Sequence, residues 1–170
     1  NDFNILTPII RKWKYCHDKE KNGEQLGWNK PEFDDVEWKI TDSCIETWMT
    51  LGIPYYQTVW YRTKVKVPST PSGKKVYLWI SATDGSVKVF VNGQHIPFVN
   101  ENGATLPEFS GFCMPVSFDI TSAIKSDVDN QIAIMTTHKG LNELGSGGLL
   151  GPVMLYCEKP VQQKPLRVPW

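Results

Sequence analysis

The chain has 170 residues, enough for one domain that buries about two thirds of its unfolded surface. Lys plus Arg equals Asp plus Glu at 18 each, so the chain is neutral, which argues against nucleic acid or an anionic membrane as partner. No uninterrupted apolar run approaches the roughly 18 residues of a spanning helix, and 7 Trp, 7 Phe and 6 Tyr supply more aromatic surface than a minimal core requires.

Residues 9–16 alternate from Arg11 to Cys16 and predict a first strand near a sheet edge. Residues 17–27 are polar and glycine-bearing, a loop. In 28–38, Pro31 is placed to start a turn and Asp34 and Asp35 to cap one, which predicts one helical turn with Phe33 and Trp38 packing inward. Residues 41–58 form a long irregular connection, and one of this length in a compact domain is more often functional or partly structured than empty. Alternation returns over 59–68, where Pro68 ends a strand, and Val76, Leu78 and Ile80 make the buried face of the next.

The clearest local signal is Val87, Val89 and Val91 alternating with Lys88 and Phe90, followed by Asn92-Gly93. That dipeptide supplies the positive φ angles of a type I′ turn, so 94–96 returns as the second arm of a hairpin. The valine side needs a second sheet to cover it, and the lysine side is expected to face water. A second long loop covers 100–114, a strand 116–120, a capped turn 121–125 and a strand 131–137 with Ile132 and Ile134 inward. A glycine-rich loop over 139–151 and a last strand over 153–157 follow. About eight short strands with little helix predict an antiparallel β-sandwich of jelly-roll type.

Cys16, Cys44, Cys113 and Cys157 form no Cys-x-x-Cys pair and do not group with His17, His95 or His138, so zinc spacing is absent. Free buried thiols and one or two disulfides both remain open. No signal peptide is visible. The start at Asn1 and the proline-studded 160–170 suggest a mature chain or a piece of a longer protein, with the domain over 1–159 and 160–170 as tail or linker.

Several strings in this order match a known pattern. Phe33-Asp34-Asp35-x-x-Trp38 and Trp60-Tyr61-Arg62, with a strand ending at Val67-Pro68, come first. Val89-Phe90-Val91-Asn92-Gly93 and Phe118-Asp119-Ile120-Thr121 follow, then Asn130 to Ile134 and Gly147 to Val153. Together they resemble the sugar-binding domain of family 2 glycoside hydrolases. The resemblance implies a galactose-binding-domain-like jelly roll, as found in β-galactosidases, β-glucuronidases and β-mannosidases and as separate carbohydrate-binding modules. It further implies saccharide chemistry in a larger parent protein that is secreted, periplasmic or on the cell surface. The chain departs from the pattern in its elaborated segment between Asp35 and Trp60 and its expanded loop after Glu143. It is too short for the family's catalytic barrel, so the catalytic glutamates have no counterpart and the domain by itself is not expected to be an enzyme.

A sugar is held by aromatic rings on its C–H face and by polar groups on its hydroxyls. The three long loops collect such residues: Trp48, Tyr55 and Tyr56 in the first, Glu108, Phe109 and Phe112 in the second, His138, Asn142 and Glu143 in the third. These are the candidate carbohydrate contacts, and core or loop packing is the plain alternative for each ring. Trp28, Trp38, Trp60 and Trp79 are assigned to the core, Trp13 sits between, and Arg62 is expected in a buried ion pair. No metal or cofactor is required; Asp34, Asp35 and Glu158 are the candidates for a structural calcium, against a simple turn cap. The run 145–148 lacks the Lys-Ser/Thr ending of a phosphate loop. Asp84, Glu101, Glu108 and Glu143 show no acid–nucleophile setting, and neither Gly-x-Ser-x-Gly nor a Cys–His signature occurs. The functional expectation is a non-catalytic carbohydrate-binding module. The alternative is an accessory domain that packs on a catalytic neighbour without binding free sugar.

Overall fold

The computed structural model describes residues 3–70, 73–140 and 145–159, so the expected tail over 160–170 lies outside the described residues. The chain is all-β. The first half contains β1 (Phe3–Ile5), β2 (Lys12–His17), β3 (Lys39–Asp42), β4 (Thr58–Lys66), β5 (Val76–Ile80), β6 (Thr83–Val91) and β7 (Gln94–Ile96). The second contains β8 (Phe98–Val99), β9 (Thr105–Leu106), β10 (Phe109–Phe112), β11 (Val116–Asp119), β12 (Asp129–Thr137), β13 (Gly148–Leu149) and β14 (Val153–Glu158). A four-stranded sheet, β1-β14-β5-β11, faces a larger one ordered β10-β6-β12-β4-β2-β3, with β7 and β13 also paired to β6. All these ladders are antiparallel. This is the sandwich that the alternation predicts.

The period of two sorts each long strand into an inner and an outer face. Val89, Ile134, Tyr61 and Tyr15 stand side by side across β6, β12, β4 and β2, and all four are buried in the core between the sheets. Each fully buried aliphatic side chain here contributes about 1.5–3 kcal/mol. The hairpin forms as read: Asn92 and Gly93 have φ of 52° and 83°, the two positive values of a type I′ turn.

The outer face of the larger sheet differs from expectation. It does not lie open to water over its middle, because Phe90 and Trp60 are buried there under Trp28 and Trp38, in a second apolar cluster with Ala133. Residues 18–38 form the cover. The predicted helical turn is instead a run of hydrogen-bonded turns, such as Lys30 N–H to Gly27 O at 2.8 Å and Trp38 N–H to Asp35 O at 3.1 Å. A loop suits this role because flat indole rings, stacked edge-to-face at 5.0 Å between Trp28 and Trp38, fill the space that a helix would otherwise occupy. Asp18 ties down its start, accepting from the Trp60 indole N–H at 3.0 Å and the Gly23 amide at 2.9 Å.

Trp13 belongs to the core, where its ring meets Tyr61 edge-on at 6.4 Å. Trp79 does not; it is half-buried on β5, and the alternation that buries Leu78 and Ile80 turns it outward. All four cysteines are free. Cys157 is buried, but Cys44 and Cys113 are exposed and Cys16 is half-buried, so the thiols are not uniformly the buried kind that the sequence suggested. Among the described residues no helix is long and apolar enough to cross a membrane.

The start of the long 43–57 connection is anchored on β3. Asp42 accepts from Arg11 Nε at 2.8 Å and from the Cys44 amide at 3.0 Å, and Lys12 Nζ stands 3.2 Å away. The Arg11 hydrogen bonds, working against desolvation and helped by the Cys44 amide, pull this carboxyl from 3.8 to about 2. Its contribution to stability is therefore complete above pH 3.8 and is lost as pH falls toward 2. A thermal-melting series over that window is expected to show a steep acid decline that Asp42→Asn flattens; identical slopes would contradict the pairing.

Candidate functional site

The three long loops meet at one end of the sandwich, where β6 begins, β10 ends and β12 ends. The residue that joins them is Asp84, the second residue of β6. Its carboxylate is buried: one oxygen accepts from the Gly147 amide at 2.8 Å, and the other lies 3.7 Å from His138 Nε2. Strand pairing places Phe112 and Gly148 on either side of it. Glycine is required on this path. At Gly145, where φ is 120°, a Cβ would lie 2.1 Å from the Asp84 carboxylate.

His138, just past β12, carries the link to the first loop. Its backbone amide donates to Gln57 O at 3.0 Å, and its Nδ1 meets Tyr55 O at 2.9 Å. The imidazole stacks on the Tyr56 ring with centroids 5.5 Å apart and planes 3° from parallel. Tyr55 and Tyr56 are both exposed. Lys139 pairs with Glu108, which joins the third loop to the second.

Trp48 departs from its expected place. It is 1% exposed, donates from Nε1 to the Tyr61 hydroxyl at 2.9 Å, and meets His138 edge-on at 6.5 Å. The glycines at 147 and 148 let the indole in, since a Cβ on either would come within 2.5 Å of the ring. Burial pushes the Tyr61 phenol up to about 12, so it remains a neutral partner. Phe109 also turns inward: it is half-buried, packs edge-on against Phe98 at 5.2 Å and lies on the core. Phe112 remains exposed near Gly145. Asn142 and Glu143 lie outside the described residues.

The structure thus brings Tyr55, Tyr56, Glu108 and Phe112 to one rim; His138, an expected contact, is buried beneath it together with Trp48, and supports the rim from below. Asp84 was not among the expected contacts. An acidic residue that opens a strand just before Gly85 was the available signal, because Gly85 has φ of 92° and its Cβ would lie 2.4 Å from Thr137 O. The candidates for calcium do not assemble. Asp35 is bound by Lys14 at 2.7 Å and Arg62 at 2.8 Å, Asp34 accepts from the Val36 amide at 3.0 Å, and Glu158 belongs to the other sheet. Among the described residues no three His, Cys, Asp or Glu side chains are grouped to hold a metal. For hydrolysis, the Asp84 carboxylate is already held by an amide and faces a buried imidazole, an arrangement that braces loops.

No family model matches the chain. A β-galactosidase of Thermoanaerobacter pseudethanolicus is 34% identical over 145 residues, which is 85% of this chain and 18% of that protein. A β-glucuronidase of Formosa agariphila is 25% identical over 130 residues, 72% of this chain and 12% of that protein. Among solved structures, the apo β-glucuronidase of Ruminococcus gnavus superposes with a TM-score of 0.69 at 18% identity, over 92% of this chain and 29% of that one. The chain spans less than a third of the length of each of these proteins.

Proposed function

The chain is a domain of a family 2 glycoside hydrolase-type protein, and from that premise we propose that it is a non-catalytic carbohydrate-binding module of a larger exported glycan-degrading protein. Secretion, the periplasm or the cell surface is the corresponding location. The observation that carries the proposal is Tyr56: the residue is 41% exposed and its ring is backed by the parallel His138 imidazole. A ring braced on one face offers the other to the apolar face of a sugar without losing much side-chain freedom on binding. The neighbouring Tyr55 hydroxyl and the Glu108–Lys139 pair offer donors and acceptors for sugar hydroxyls. The module raises the effective concentration of a linked catalytic domain at its substrate.

Calorimetric titration of the chain against neutral oligosaccharides tests this. Saturable binding in the millimolar range corresponds to about −4 kcal/mol, and Tyr56→Ala is expected to weaken it at least about tenfold, roughly 1.4 kcal/mol, with an unchanged melting temperature. A second reading, an interdomain brace, draws on Met49 in the first loop and Phe112 and Met114 in the second, large apolar side chains that are all exposed. The absence of binding to any neutral glycan favours that reading.

A further inference from the structure

The cover formed by residues 18–38 stops short of one corner of the larger sheet. There, beside β2, β3 and β4, lies a groove of about 290 Å³ whose lining includes Lys12, Lys14, Ile40, Lys64 and Gln131, with Asp35 and Arg62 at one side. Its volume is at the small end of ligand clefts, roughly 300 Å³. Strand register explains the composition. Lys14 sits opposite Arg62 and Ile40, and Gln131 sits opposite Lys64, so three adjacent strands point cations and an amide to the same side.

In a chain of zero net charge this groove is unbalanced. Asp35 is shared by Lys14 and Arg62, and Lys12 faces Asp42. Lys64 has no carboxylate partner among the described residues. Gln131 is 2% exposed; its Nε2 donates to the carbonyls of Thr63 at 2.9 Å and Ile132 at 3.0 Å, and its Oε1 has no donor. Ile40, 68% exposed, contributes an apolar wall.

We propose that this groove is a second binding site, separate from the loop rim, for the carboxylate-bearing ring of an acidic saccharide. The Lys64 ammonium, reinforced by Lys12, takes the carboxylate as a charge-assisted hydrogen bond. The Gln131 amide is the acceptor that a ligand hydroxyl satisfies, and Ile40 covers a C–H face. A sugar is the carboxylate's carrier because the domain belongs to a saccharide-degrading type of protein, so the inference rests on the reading of the previous subsection. A nucleic acid fits poorly, since the positive charge is confined to one small groove without an aromatic platform.

The test is a titration with a galacturonate trimer and its methyl ester at about 50 and about 500 mM salt, where the screening length is roughly 14 and 4 Å. The trimer is expected to bind, the ester at least about tenfold more weakly, and high salt to reduce trimer binding by a similar factor. Lys64→Gln is expected to weaken the trimer about tenfold and Lys64→Glu to abolish its binding, while Tyr56→Ala leaves it unchanged. Lys64 is exposed, so melting curves of these variants are expected to match the unaltered chain. Equal affinity for acid and ester, insensitivity to Lys64→Glu, loss in Tyr56→Ala, or no trimer binding would each overturn the proposal. Neutral-sugar binding at the rim without trimer binding removes the groove alone. Trimer binding that needs Lys64 without any neutral-sugar binding removes the rim and keeps the groove.

Discussion

Arg62→Ala is expected to lower folding stability by about 3–5 kcal/mol, the cost of breaking a buried charge pair. The Arg62 side chain is 1% exposed. Nε donates to Asp35 at 2.8 Å, and the guanidinium also donates to the backbone carbonyls of Trp28, Lys30 and Phe33. Its plane lies over the rings of Phe33 and Trp38, 5.3 and 5.9 Å from their centroids. One side chain therefore closes the 28–38 cover onto the sheet. Alanine leaves three carbonyls and a carboxylate short of donors, and it loses the ring contacts as well. Burial raises the Asp35 carboxyl, but the hydrogen bonds and charges of Arg62 and Lys14 outweigh it and hold the group below 3.8. The contribution of the pair is accordingly present above that pH and falls away below it. Denaturant unfolding checks the magnitude, and a loss under about 1 kcal/mol, the size of an exposed pair, would show that the cover is held by its aromatic contacts alone.

Trp48→Ala is expected to be nearly as damaging, at about 3–5 kcal/mol. The indole fills the floor between the first and third loops, and its N–H satisfies the buried Tyr61 hydroxyl. Removing it leaves a cavity beside Gly147 and Gly148 and frees the loop that Asp84 holds through the Gly147 amide. Trp48→Phe is expected to retain most of the volume and lose the hydrogen bond, about 1 kcal/mol. Because the ring is buried, sugar affinity in Trp48→Phe is expected to stay within about twofold of the unaltered chain, a difference of roughly 0.4 kcal/mol. A selective loss of affinity at full stability would instead mean that Trp48 reaches the ligand.

The strands that sequence alternation reveals are the long ones, because a surface buried on one face imposes a period of two over five or more residues. Thr58–Lys66, Thr83–Val91 and Asp129–Thr137 are all of this kind. Phe3–Ile5, Phe109–Phe112 and Gly148–Leu149 are too short to establish a period, and they pair because neighbouring strands offer an edge. Part of the outer aromatic cluster was hidden for a different reason. Trp28, Trp38 and Trp60 were legible as core rings, but Phe90 occupies a position that alternation assigns to water, and only the return of residues 18–38 over the sheet buries it. At the rim, the residue types for sugar contact were legible, but loop chain carries no periodicity to separate an exposed ring such as Tyr56 from a buried one such as Trp48. Asp84 was obscured by its place at the start of a strand, where a solvated carboxylate is the ordinary expectation.

Amide NMR of the chain during titration with a neutral oligosaccharide tests whether the Tyr55–Tyr56 rim takes a sugar. Saturable shifts confined to residues 54–57, 108–112 and 138–139 are expected, absent in Tyr56→Ala at unchanged stability. Shifts elsewhere on the sandwich with the rim silent, or no shifts at tens of millimolar sugar, roughly −2 kcal/mol or weaker, would contradict sugar binding at the rim.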